Sequence, residues 1–217
     1  MIKNIYEHKP ASGGAPKQMV ILLHGVGSNG QDLISLAPYY ARFLPDAVFI
    51  SPDAPFPYDM APPGYDAYQW FSLQDRSFAN RLEGVKAASP LLHDFMDRQL
   101  ERYGIPPSKL VLMGFSQGTM TGLYAGPRYK NKIAGILGYS GALIWEEELP
   151  KDINVIPVHL VHGDEDEVVP FAAYHHAKEK LEKSGFRVSG HVSHGLGHSI
   201  DDGGITSGAA FLQAVLG

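Results

Sequence analysis

The chain has 217 residues, 44% hydrophobic and 19% charged, enough for one substantial core in a globular α/β domain. Its formal charge is −5 and no Lys/Arg run stands out, which argues against nucleic acid or an anionic lipid surface as partner. It contains no cysteine, which removes disulfides, thiolate metal ligands and a Cys nucleophile, so covalent catalysis would have to use Ser, Thr, Lys, His or a carboxylate.

The N-terminal segment, Met1 to His8, lacks the apolar stretch of a signal peptide. Nowhere do about 18 apolar residues run together as a membrane span requires. The expectation is a cytoplasmic protein with no stable membrane association.

Short apolar runs then recur along the chain. Residues 19–23, 47–50, 110–113, 133–137 and 155–161 read as strands, with 187–192 as a weaker sixth. They are rich in Val, Ile and Leu and mostly non-alternating, as parallel strands covered on both faces are. Helical periodicity lies between them at residues 33–43, 78–103, 117–125, 171–184 and 205–216. Pro90 either opens a new helix or kinks the second one, and Gly104 ends it. This alternation predicts an α/β fold with a mostly parallel central sheet and helices on both faces, spanning residues 1–217 as one domain. One segment breaks the rhythm. Residues 52–75 carry five prolines together with Phe56, Tyr58, Tyr65, Tyr68, Trp70 and Phe71. So aromatic a loop, following a strand end, is expected to wall a binding site, with Trp70 and Phe71 contacting substrate.

Gly114-Phe115-Ser116-Gln117-Gly118 matches G-x-S-x-G, with a predicted strand before it and a helical pattern after it. Such a strand–turn–helix elbow exposes a serine at a helix N-terminus, where the dipole favours a developing oxyanion. Ser116 is therefore the candidate nucleophile. A serine hydroxyl needs a base, and the base an orienting acid. In α/β-hydrolases these follow in the order Ser, acid, His. Asp164 and Asp166 both fall in the turn after the strand at 155–161, and spacing alone does not separate them. His198 lies in a loop before the final helix, with His194 as competitor. The H-x-x-H-x-x-x-H spacing of His191, His194 and His198 raises a metal site, but no further ligand cluster supports it, and the expectation is neither metal nor cofactor. The oxyanion hole is assigned to the backbone N–H groups of Gln117, just after the nucleophile, and Val26, in the Gly-rich loop after the first predicted strand.

These motifs, with Leu23-His24-Gly25-Val26-Gly27, Trp70-Phe71, His162-Gly163 through Asp166 to Val168-Val169-Pro170, and Gly197-His198, run in order over nearly the whole chain. The chain resembles the phospholipase/carboxylesterase family, which includes bacterial carboxylesterases and acyl-protein thioesterases. The resemblance places the acid on Asp166 and the base on His198. It implies an α/β-hydrolase fold without a large cap domain and cofactor-free hydrolysis of carboxylic esters or acyl thioesters. Two positions depart from the family pattern: Thr119 follows the G-F-S-Q-G core where Gly or Ala is usual, and Ser72 follows Trp-Phe where Asp is usual.

The function expected is a serine carboxylesterase acting on small esters with short to medium acyl chains, as monomer or homodimer. An acyl-protein thioesterase or lysophospholipase is the alternative. A catalytically silent binding protein of the same fold is a third, against which the complete set Ser116, Asp166 and His198 stands.

Overall fold

The computed structural model describes residues 2, 4–150 and 152–217. Among the described residues there are nine strands: β1 (Ile5–His8), β2 (Gln18–Leu23), β3 (Ala47–Pro52), β4 (Phe56–Pro57), β5 (Tyr68–Gln69), β6 (Leu110–Phe115), β7 (Gly135–Tyr139), β8 (Val158–Gly163) and β9 (Val188–Ser193). The α-helices are α1 (Gly30–Leu33), α2 (Ala37–Ala41), α3 (Phe78–Tyr103), α4 (Gln117–Arg128), α5 (Ala172–Lys183) and α6 (Asp202–Leu216). Seven strands form one sheet in the order β1-β3-β2-β6-β7-β8-β9, parallel throughout except for the antiparallel edge strand β1.

The apolar runs are explained by burial on both sides. In β2, Met19, Ile21 and Leu23 face a core that includes Val85, Leu92 and Phe95 of α3, Leu123 of α4 and Leu181 of α5. Val20 and Leu22 face the other core, with Leu33, Tyr40 and Leu212 from α1, α2 and α6. A strand apolar on both faces loses the period-two signal, which is why the run reads as continuous. The α/β-hydrolase fold expected from the sequence is the fold observed, and no large cap is inserted in it.

The differences are local. β7 and β8 begin two and three residues later than the apolar runs at 133 and 155. For β8 the cause is Pro157, which has no N–H to give to a ladder; its carbonyl instead accepts from Ile136 N at 3.0 Å. The helix expected at 33–43 is broken into α1, a 3₁₀ turn (Ile34–Leu36) and α2, with Pro38 in the first turn of α2. Pro90 neither starts nor ends a helix: α3 runs through it, capped by the Ser77 side chain and ended by Gly104 at φ 63°. β1 escaped the reading because this half-buried edge strand carries Glu7 and His8 in place of an apolar run.

The segment 52–75 has structure of its own. β4 and β5 pair as a short antiparallel ribbon, tied to the loop after β2 by Gly27 N to Tyr68 O and Tyr68 N to Ser28 O, both at 2.9 Å. From β2 the chain passes to β3 on one side of the sheet and later to β6 on the other. The ends of β2 and β6 therefore flank a topological switch point, where open α/β sheets bind ligands.

Candidate active site

Ser116 stands between β6 and α4 at φ 53° and ψ −116°. A non-glycine residue in such a backbone conformation costs about 1–3 kcal/mol and persists only where its surroundings enforce it. Here Ser116 N donates to Tyr139 O of β7 at 2.9 Å, and Ser116 O accepts from Met120 N at 3.2 Å. Close packing explains the second glycine of the motif: a Cβ at Gly118 would collide with the Leu23 carbonyl at the end of β2. Thr119 anchors the turn from behind, donating Oγ1 to Tyr139 O at 2.8 Å and packing its methyl over Gly138.

Asp166 lies in the turn after β8 with its carboxylate fully buried. Oδ1 accepts from Val168 N at 2.9 Å and Val169 N at 2.8 Å, while Oδ2 accepts from His198 Nδ1 at 2.7 Å. A carboxylate can only accept, so the His198 proton sits on Nδ1 and Nε2 keeps its lone pair. The His198 ring packs 4.9 Å from Phe115, the residue before Ser116. Gly163 makes this approach feasible, since any Cβ there would strike the Leu196 carbonyl in the loop that carries His198. Among the described residues Ser116 Oγ forms no hydrogen bond to His198; such bonds commonly tighten only in the substrate complex. Asp164 is engaged elsewhere, by His194 Nδ1 and Gly195 N, both at 2.7 Å.

The loop after β2 is set by His24, buried and doubly bonded. Its Nδ1 donates to Gly25 O at 2.7 Å, so Nε2 is the acceptor for Ala54 N at 2.9 Å. Burial lowers its pKa, which keeps the neutral ring this pattern needs. Neither Val26 N nor Gln117 N donates to a protein acceptor among the described residues, and both residues border one cavity with Ser116. One N–H lies in the loop after β2 and the other at the start of α4, both beside a strained serine, and an oxyanion site needs donors of this kind. The Gln117 side chain adds a link that motif reading did not reach. Its Oε1 accepts from Trp70 N at 2.8 Å and its Nε2 donates to Phe71 O at 2.7 Å, locking the end of the aromatic segment onto the elbow.

Comparison with known proteins bears on the family and the fold. The family model described as phospholipase/carboxylesterase matches residues 10–216. Acyl-protein thioesterase 1 of Gibberella zeae is 31% identical over 212 residues, covering 91% of this chain and 90% of its own. Esterase YpfH of Escherichia coli is 29% identical over 86% of this chain and 78% of its own. Among solved structures, esterase PE8 superposes with a TM-score of 0.90 at 36% identity, covering 97% of this chain and 98% of that one. The chain belongs to the phospholipase/carboxylesterase family. As a member of this family it is a hydrolase of the ester and thioester class, and small ester-type molecules are the substrates the family implies.

In this family member the cavity at Ser116 measures about 260 Å³. Met120, Ala142 and Leu73 line it beside Ser116, with Tyr58, Met60 and the turn Val168–Val169–Pro170 around them. Trp70 and Phe71, expected to contact substrate, are not part of it. Trp70 is 0% exposed and donates Nε1 to His24 O at 3.0 Å; Phe71 is buried and borders a separate groove beside Gly84 and Ala87. The expectation misplaced them because motif spacing carries no burial information. The aromatic segment reaches the cavity through Tyr58 and Met60 instead. Within that segment Asp59 N donates to Gln69 Oε1 at 3.4 Å, and hydrogen bonding by Ser72 and Gln69 holds the Asp59 carboxyl below its usual pKa.

The three histidines that raised a metal site do not converge. His194 turns to Asp164 and His198 to Asp166, while His191 lies beside Gly203. Among the described residues no group of three or more His, Asp or Glu is placed to hold a metal ion, and no helix is long and apolar enough to cross a membrane.

Proposed function

We propose that this chain, acting as one domain, is a serine carboxylesterase that cleaves short-to-medium acyl esters through an acyl-enzyme. Ser116 attacks the carbonyl carbon. His198 Nε2 takes the hydroxyl proton and returns it to the leaving alcohol, then activates water to release the acid. Asp166 holds the imidazole in the Nδ1–H form and stabilises it when charged. The N–H groups of Val26 and Gln117 receive the oxyanion. The observation that carries the reading is the buried Asp166–His198 bond at 2.7 Å, with its ring packed against the residue before a strained Ser116.

Chain length follows from the cavity. At about 260 Å³ it falls below the ~300–1,000 Å³ of sites that enclose drug-sized ligands. Each methylene gains about 0.8 kcal/mol only while it is buried. Across p-nitrophenyl esters from acetate to palmitate, kcat/KM should rise and then fall once the cavity is full, and Ser116→Ala should abolish turnover and fluorophosphonate labelling together. Near-normal turnover by a folded Ser116→Ala protein would refute the serine assignment. The names of several relatives favour the second reading, an acyl-protein thioesterase. A monotonic rise to palmitate, or matched thioesters preferred by orders of magnitude, would establish it.

A further inference from the structure

The wall of the Ser116 cavity is not wholly apolar. Arg76, just before α3, and Arg81, in the first turns of α3, both border it. No Asp or Glu lines it, although the chain as a whole carries a charge of −5. The nearby carboxylates are committed elsewhere. Asp75 accepts from Ser77 N and Oγ, Asp59 is held by Ser72 and Gln69, and Glu83 pairs with Lys86. Among the described residues neither arginine forms a salt bridge, and the Arg81 Nε is buried without a hydrogen-bond partner. A buried N–H of a guanidinium without an acceptor is unfavourable unless something fills the place.

We propose that Arg76 and Arg81 select substrates bearing a carboxylate, so that the preferred esters are hemiesters of short dicarboxylic acids. The inference rests on Ser116 being the nucleophile and deepens that reading. Three features converge on it. The guanidinium fork binds a carboxylate through paired hydrogen bonds, and its charge is permanent. A cavity of about 260 Å³ leaves room for only a short spacer between the anion and the ester carbonyl. The remaining lining is mainly apolar, which disfavours a doubly charged phosphate more than a singly charged carboxylate, because the dianion loses more hydration. An apolar spacer with an ester at one end and a carboxylate at the other suits a cavity that Ser116, the apolar Met120 and Leu73, and the two arginines line together.

The test compares monoethyl glutarate with ethyl 5-methylhexanoate, in which an isopropyl group replaces the carboxylate at nearly constant shape. The readout is the ratio of their kcat/KM values, so a general loss of activity in a variant cancels. The native enzyme should favour the hemiester by about tenfold or more, and the preference should shrink as salt is added, since partly exposed charges are screened. Arg81→Gln should cut the ratio several-fold, and Arg76→Gln with Arg81→Gln should bring it near one. Equal or better use of the neutral ester by the native enzyme, or an unchanged ratio in the double variant, would overturn the proposal. So would an arginine-dependent preference for ethyl 4-(phosphonooxy)butanoate, which would assign the pair to phosphate. A second measurement separates this proposal from the nucleophile assignment. Monoethyl glutarate should raise the Tm of Ser116→Ala, and that shift should vanish when both arginines are also changed. A shift that persists without the arginines rejects the carboxylate site even if Ser116 labels normally; a lost shift together with an unlabelled native Ser116 rejects the nucleophile and keeps the anion site.

Discussion

Two Asp–His pairs stand side by side on the same two loops, and they differ in almost nothing but burial. Asp164 and His194 meet at 2.7 Å, as do Asp166 and His198. In the outer pair the side chains are 28% and 87% exposed; in the inner pair they are 0% and 17%. The outer carboxylate spends its second oxygen on Gly195 N, which ties the β9 loop down. The inner one spends it on Val168 N and Val169 N, which fixes the turn beside the Ser116 cavity. An exposed pair is screened by water and contributes little, whereas a buried carboxylate with three donors holds its imidazole in one tautomer and one position. The same chemistry in the same neighbourhood thus yields a loop clasp in one case and the candidate acid–base unit in the other.

That contrast can be broken most sharply at the histidines. His198→Ala should lower kcat by about a million-fold, as loss of a triad base does in a serine protease, while His194→Ala should stay within about tenfold of the native enzyme. Comparable losses from both variants, measured with a short p-nitrophenyl ester, would erase the distinction. The carboxylates come next. Asp166→Asn should cost on the order of ten-thousand-fold in kcat, because an amide at that place favours the wrong imidazole tautomer. Asp164→Asn should leave kcat near native. If kcat/KM ranks them the other way, the acid has been misassigned.

The smallest effect concerns pH. The hydrogen bond from His194, with Gly195 N, lowers the Asp164 pKa below its usual 3.8. A carboxyl depressed in the folded state stabilises above its unfolded value and loses that contribution as pH falls through its folded value. The Tm gap between native protein and Asp164→Asn should therefore be small at neutral pH and close further in acid, below about pH 4. A gap that widens on acidification would contradict the clasp.

Much of the molecule is legible in its sequence. The central strands read correctly because burial on both faces demands uninterrupted Val, Ile and Leu, and α3 showed its terminal glycine in the sequence itself. Ser116 was legible because the elbow is a local event: a strand, a strained residue and a helix start, adjacent along the chain. The half-buried β1 and the short β4–β5 ribbon were not, since their stability comes from distant partners.

What the chain alone determined is the inventory and its order: a buried parallel sheet, a serine elbow, an acidic turn and a late histidine loop. Between Asp164 and Asp166, or His194 and His198, spacing was silent, because residues two or four apart in a loop are equally free to reach inward. The fold decided that question by sealing one carboxylate beneath Val168 and Val169 and leaving the other in water. It likewise moved Trp70 from the expected substrate wall into the support of the His24 loop, and brought Tyr58, Met60, Arg76 and Arg81 to the cavity instead. Which side chains face a cavity depends on contacts between segments far apart in the chain, and local pattern does not encode those contacts.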